Sequence, residues 1–323
     1  MTGTLTSVSS AHDRRERAVL PLMLVAGLNL AAVVAGAMLW NLNGIFVGFA
    51  LTAWLLGVRH AFDVDHIAAI DNATRQLRHQ QRGARWTGAL FALGHSTVVV
   101  AVTVLVTAAA THFHSSLISL QHWGAPLGAA VSAVFLTLMG LTSLALLRRR
   151  LGSHGSPRAG QRRTWRIAWQ PWQIFGVGML FGLGFDTATE IALLVLSVGA
   201  VQTATLPLWA VLSLPGLFAA GMTLMDTIEG LLMLRAYEWA LDDRNRTLRL
   251  NTGITAASAL LALGVAVWQW WTLLAPLLGH SGEAVKSLPA AAMLGAAATC
   301  AMLLFWGVAV ARRQIALTAQ SSD

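Results

Sequence analysis

Eight apolar stretches of about 20 residues or more limit the possible folds of this sequence most strongly, because each can cross a bilayer as a helix. They cover residues 19–40, 44–70, 87–110, 124–147, 172–198, 207–234, 251–275 and 288–311. Only 11% of the 323 residues are charged and 56% are hydrophobic, and the mean hydropathy is +0.62, whereas soluble domains are about 25% charged. The sequence therefore predicts an all-α integral membrane protein with about eight transmembrane helices.

The basic residues predict the orientation of these helices. Twenty of the 22 Lys and Arg residues fall in segments that would share one side of the membrane; Arg59 and Lys286 are the exceptions. Because basic loops stay in the cytoplasm, we expect both termini to be cytoplasmic. The net charge of +8 then reflects clusters that contact anionic lipid and does not indicate nucleic-acid binding. The expected parts are a cytoplasmic tail (1–18), helices 1–4 (19–147), an Arg-rich cytoplasmic loop (148–171), helices 5–8 (172–311) and a C-terminal tail (312–323).

Ionisable residues are concentrated inside the apolar stretches, where a charge at a helix centre costs about 2.5–3.5 kcal/mol. Under the expected topology, four such segments lie at overlapping depths, from the midplane inward. They are RHAFDVDHI (59–67), LGHSTVV (93–99), GLGFDTATE (182–190) and GMTLMDTIEG (221–230). Seven acids in the predicted helices face a single arginine, so the surplus negative charge requires protons or a cation.

Helical geometry restricts how the first segment can act. In a regular helix Arg59, Asp63 and His66 share one face, while Asp65 points well away. If His60, Asp65 and His66 all bind one ion, the helix must be unwound locally, as in transporters with broken helices. The alternative is that Arg59 simply pairs with Asp63 and joins two helices.

The residue types indicate the class of cation. Imidazole mixed with carboxylate suits Ni, Co, Zn or Fe, whereas Mg and Ca prefer oxygen ligands alone. Met179, Met222 and Met225 offer sulfur for Cu(I), although methionine in membrane helices usually packs. No HExxH or P-loop segment occurs, so we expect no enzyme activity and no cofactor. The expected partners are a transition-metal substrate and the lipid bilayer, with no obligate protein partner.

In order and helix position, the four segments resemble the signatures of the nickel/cobalt transporter family. This resemblance implies a secondary permease for Ni²⁺ or Co²⁺ in the bacterial cytoplasmic membrane; an exporter would use the same ligands. Val64 and Glu229 depart from the family pattern, where alanine and aspartate are usual. The match of motifs implies these metal candidates: His60, Asp63, Asp65, His66, His95, Asp186, Glu190, Asp226 and Glu229. Among them, His95 is expected to have a supporting or access role.

Three further features suggest how the motifs are arranged. FDVDHI and FDTATEI both begin with Phe-Asp, and each is followed by a motif-bearing helix; this suggests an inverted internal repeat. Gly182, Gly184, Gly221 and Gly230 flank the acidic motifs and are expected to let helices approach closely. Thr187, Thr189 and Thr227 are expected to bond backbone carbonyls or ligand carboxylates.

Overall fold

The computed structural model describes residues 3–40, 44–80, 82–110, 116–152, 170–183, 188–203, 208–241 and 247–278. Within these ranges the chain forms ten α-helices and two short 3₁₀ turns, with no strand. The helices are α1 (Gly3–Trp40), α2 (Gly44–His60), α3 (Val64–His79), α4 (Thr87–Ala110), α5 (Ser116–Gly152), α6 (Pro171–Gly182), α7 (Ala188–Thr203), α8 (Leu208–Val211), α9 (Ser213–Leu241) and α10 (Thr247–Leu274). An all-α chain is therefore confirmed for these residues.

The helix ends differ from the apolar stretches at several places. α4 has the predicted bounds, but α1 runs back through most of the predicted tail to Gly3, and α5 continues to Gly152 beyond the apolar residues. Leucine and arginine, which dominate the end of α5, are good helix formers, so the helix does not stop where hydropathy falls. The predicted eighth stretch (288–311) and C-terminal tail (312–323) lie outside the described residues.

The second apolar stretch is broken between α2 and α3. The N–H of Phe62 donates to the carbonyl of Arg59 (3.1 Å) and that of Asp63 to the carbonyl of His60 (2.9 Å), which is the spacing of a 3₁₀ turn. Asp63 then has an extended conformation, with φ −70° and ψ 136°, as the N-cap residue of α3. The local unwinding that binding of one ion by His60, Asp65 and His66 would require is therefore present beside His60.

The fifth apolar stretch is also divided at its motif. α6 ends at Gly182 and α7 begins at Ala188. At its start, α6 has a capping box in which the side chains of Gln170 and Gln173 bond each other's backbone N–H, and Pro171 follows as a first helical residue. Residues 184–187, which include Asp186, lie outside the described part of the chain.

α2 and α9 pack at backbone distance through one glycine on each helix. A Cβ on Gly57 would lie 2.0 Å from the carbonyl oxygen of Phe218, and one on Gly221 would lie 2.4 Å from the carbonyl oxygen of Trp54. Larger side chains at either glycine would force the helices apart, as expected for contacts between membrane helices.

α4 and α6 repeat this arrangement. A Cβ on Gly94 would lie 2.0 Å from the carbonyl oxygen of Phe175, and one on Gly178 would lie 2.0 Å from that of Phe91. In each of the four contacts, the carbonyl belongs to an aromatic residue that lies three positions before the glycine of its own helix. The four segments are WLLG (54–57), FALG (91–94), FGVG (175–178) and FAAG (218–221).

The two pairs are reciprocal with respect to the broken helices. α2, before the first break, packs against α9, which follows the second broken helix. α6, before the second break, packs against α4, which follows the first broken helix. This reciprocal packing is what the internal repeat suggested by the Phe-Asp segments would produce.

Three helical segments of the described residues are long and apolar enough to cross a membrane: Val19–Met38, Ala84–Thr107 and Ser213–Glu238. Shorter apolar helices occur at Phe46–His60, Ala129–Ala145, Thr189–Ala200 and Ala259–Leu274. On α1, Leu30, Val33 and Met38 are 65–71% exposed, and so much exposed apolar surface on one helix suits lipid rather than water. The described residues are therefore consistent with a helical membrane protein.

Candidate metal site

Three buried histidines meet where α2, α3 and α4 converge. His60 is the last residue of α2, His66 lies in the first turn of α3, and His95 lies on α4; all three are at most 2% exposed. One ring nitrogen of each lies within 4.8 Å of those of the other two. The distances between ring centroids are 4.6–4.9 Å. Imidazoles gathered in this way can share one metal ion.

The break between α2 and α3 makes this convergence possible. In a regular helix, residues six positions apart are turned about 120° from each other. The 3₁₀ turn and the extended Asp63 give α3 a new start, so His60 and His66 reach the same point from two helices.

Glu190, in the first turn of α7, adds a carboxylate to the histidines. Its Oε1 lies 3.0 Å from Nε2 of His95 and 3.9 Å from Nε2 of His60, while these two nitrogens are 3.1 Å apart. Donor atoms bound side by side to one metal at about 2.1 Å are separated by about 3 Å. Two of these three distances match the spacing of ligands to a single ion, and the third, between Glu190 and His60, is longer.

Asp226, on α9, approaches the histidines from another side. Its Oδ2 lies 3.4 Å from Nδ1 of His66, which is an ion-pair distance although the two groups are not oriented for a hydrogen bond. Asp226 is fully buried, and neither of its oxygens has a hydrogen-bond partner in the described part of the chain. A buried carboxylate in this position requires either a proton or a positive partner.

Asp63 connects the site to Arg59. Its Oδ1 accepts a 2.6 Å hydrogen bond from Nη1 of Arg59, so the simple pairing considered above is present. Its Oδ2 faces Nδ1 of His60 at 3.2 Å. The same carboxylate therefore both pairs with Arg59 and lies against a candidate metal ligand.

The remaining predicted metal residues are Asp65, Glu229 and Asp186. Oδ1 of Asp65 accepts the backbone N–H of His66 at 3.0 Å, which supports the first turn of α3. Glu229, one turn after Asp226, is buried, and its Oε1 has no hydrogen-bond partner among the described residues. Asp186 lies outside those residues.

Two polar contacts were not predicted from the sequence. Oγ1 of Thr189 lies 2.9 Å from Nδ1 of His60, and the only sequence signal for it is its place beside Glu190. The hydroxyl of Tyr237 donates a hydrogen bond to Oδ1 of Asp71. Tyr237 lies outside the four motifs, so no motif could have indicated this pair.

Aromatic and aliphatic side chains enclose the polar centre. The ring of Phe218 lies 5.4 Å from that of His60, and the ring of Phe91 lies 4.9 Å from that of His66. Both phenylalanines belong to larger buried apolar clusters. This enclosure strengthens electrostatic interactions between the polar groups.

Comparison with known proteins adds to the geometry. A family model described as a high-affinity nickel-transport protein, NicO, matches residues 46–152 and 146–311. The chain belongs to this family. The resemblance of its four motifs to nickel/cobalt transporters is thereby confirmed.

Relatives in the family include nickel and cobalt transport proteins. The high-affinity nickel transport protein of Cupriavidus necator is 37% identical over 277 residues, covering 79% of each chain. The nickel transporter NicT of Mycobacterium tuberculosis is 38% identical over 82% of this chain and 77% of its own. The cobalt transport protein NhlF of Rhodococcus rhodochrous is 36% identical over 81% of this chain and 82% of its own. No solved structure gives a significant match.

Proposed function

We propose that this chain is a secondary permease that imports Ni²⁺, Co²⁺ or both across the bacterial cytoplasmic membrane. The observation that carries the proposal is the buried group of His60, His66 and His95 beside Glu190. Relatives named for nickel and for cobalt transport support the same cargo. The ion is a transported substrate in this proposal and not a resident cofactor.

The ligand set explains the proposed choice of ion. Nε2 of His60, Nε2 of His95 and Oε1 of Glu190 face one another, and His66 joins them together with Asp226. Mixed imidazole and carboxylate ligands bind late first-row divalent metals and are unsuited to Mg²⁺ or Ca²⁺. In this proposal Asp63, Asp65 and Glu229 contribute negative charge beside the site. Asp186 remains a metal candidate through its motif alone.

The proposed topology has eight transmembrane helices with both termini in the cytoplasm of a multi-pass inner-membrane protein. Its support is the distribution of basic residues together with the apolar helical segments. The broken helices α2–α3 and α6–α7 would then bring the metal residues to the middle of the membrane, as in other secondary transporters.

Uptake of radiolabelled Ni²⁺ by expressing cells tests the proposal. We expect saturable accumulation that unlabelled Co²⁺ inhibits strongly and Mn²⁺ inhibits weakly, while cells with the His66→Ala protein remain at background. Faster loss of preloaded Ni²⁺ from expressing cells, without accumulation, would instead indicate export. The absence of any metal flux from cells with inserted wild-type protein would refute transport in either direction.

A further inference from the structure

Thr189 is in contact with the first histidine of the site from the opposite broken helix. It lies in the first turn of α7 and is 3% exposed. Its Oγ1 lies 2.9 Å from Nδ1 of His60, which is 129 positions away in the sequence. The neighbouring Glu190 points its Oε1 at Nε2 of His95 and Nε2 of His60. One turn of α7 therefore contacts His60 on both of its ring nitrogens.

The surroundings of the two nitrogens of His60 are different. Nδ1 faces the Thr189 hydroxyl and, at 3.2 Å, Oδ2 of Asp63. Nε2 faces the other candidate ligands, His95 and Glu190. A neutral imidazole has one N–H and one lone pair, and a metal takes the lone pair. The proton must therefore be on Nδ1 for Nε2 to bind an ion.

Asp63 alone is poorly placed to hold that proton. Its Oδ1 is already bonded to Arg59 at 2.6 Å, and Oδ2 makes no hydrogen bond to the described residues despite its distance from Nδ1. The Thr189 hydroxyl, in contrast, is at hydrogen-bond distance and can accept from Nδ1–H.

We infer that Thr189 is a positioning residue that holds His60 with its proton on Nδ1 and the lone pair of Nε2 directed at the transported ion. The inference rests on the proposed function. It also means that α7 controls two ligands together, Glu190 directly and His60 through the threonine. A displacement of α7 from α2 would then weaken both ligands at once.

Three variants of the full-length purified protein test this assignment. Thr189→Val keeps the shape but removes the hydroxyl, and Thr189→Ser keeps the hydroxyl. Thr103→Val on α4 is the matched control, because Thr103 is fully buried and its hydroxyl has no partner in the described part of the chain. Ni²⁺ and Co²⁺ affinities are measured by calorimetry in detergent, with gel filtration as the check on folding.

We expect Thr189→Val to weaken binding of either ion about 10- to 100-fold, the usual effect of losing a group that orients a metal ligand. Thr189→Ser should stay within about threefold of wild type, and Thr103→Val should be unchanged. The visible spectrum of bound Co²⁺, which reports ligand geometry, should change for Thr189→Val alone. Wild-type affinity in Thr189→Val, or an equal loss in Thr189→Ser, overturns the inference.

A measurement on the metal-free wild type does not depend on the folding of Thr189→Val. In protein with isotope-labelled histidine, the NMR signals of the His60 ring are those that are missing from the spectrum of His60→Gln. In the wild type these signals should be those of a neutral ring with its proton on Nδ1. An Nε2–H tautomer for that ring overturns the inference. If the wild-type protein itself binds no Ni²⁺ or Co²⁺, the proposed function fails first, which separates the two failures.

Discussion

Nδ1 of His66 and Oδ2 of Asp226 lie 3.4 Å apart at the buried interface between α3 and α9. This contact joins two motifs that are separated by 160 positions in the sequence. It places a carboxylate without hydrogen bonds to the described residues beside one of the three clustered histidines. A cation bound at this point would have two kinds of ligand available, the lone pair of a neutral imidazole and a charged carboxylate.

Replacement of a clustered histidine should abolish transport. We expect His60→Ala and His66→Ala to lower the initial rate of Ni²⁺ uptake by more than about 100-fold, because loss of groups that only orient ligands already costs about 10- to 100-fold. Membrane insertion, measured by immunoblot of the membrane fraction, should remain normal. Near-normal uptake by inserted His66→Ala would remove α3 from the site.

Asp226→Asn should reduce metal affinity while keeping the side-chain volume. The amide provides no charge to hold the ion near His66, so we expect a loss of about 10-fold or more in Ni²⁺ binding. The control is Glu238→Gln on the same helix, where Glu238 is 44% exposed and lies 3.8 Å from Arg78. Equal effects of the two substitutions would contradict a specific role for Asp226.

Alanine at Gly178 should destabilise the protein, whereas alanine at Gly176 on the same helix should leave it at least as stable. The new Cβ at Gly178 would lie 2.0 Å from the Phe91 carbonyl oxygen, whereas nothing lies within 4 Å of a Cβ at Gly176. Overpacking costs about 1–3 kcal/mol or more, while Gly to Ala within a helix gains about 0.5–1 kcal/mol. Thermal unfolding in detergent measures both changes, and equal midpoints would contradict the α4–α6 packing.

Cysteine labelling tests the proposed topology. In a Cys300→Ser background, a cysteine at Ser153 should react with an impermeant maleimide only after the cells are permeabilised. A cysteine at Ser115 should react from outside in intact cells. The opposite pattern would reverse the orientation.

Uptake should decline as external pH falls from about 7.5 to 5.5 at low Ni²⁺, because ligands must lose protons to bind metal and histidine in water titrates near 6.5. The sign follows from competition, since protons occupy the ligands that the ion needs. At saturating Ni²⁺ the decline should fade. A decline of equal size at saturating metal would point to a slower conformational step.

Much of the fold and part of the site follow from the sequence alone. The length of the apolar segments predicts a helical membrane protein, because each backbone polar group in lipid must be hydrogen-bonded within a helix. If His60 and His66 share one ion, the 100° step of the α-helix requires a break between them. The cost of burying charge indicates that the acidic motifs have a function in the membrane. These properties depend on residues close together in the chain, so a linear pattern contains them.

The tertiary structure decided which groups meet. Periodicity places Asp65 and His66 on a helix, but only the local path turns Oδ1 of Asp65 to a backbone N–H and His66 to Asp226. Thr189 reaches His60 because α7 packs against α2 and α4, two helices that are far from it in the sequence. A sequence pattern defines the faces of one helix, whereas the partner of each face depends on packing between helices, which local periodicity does not encode.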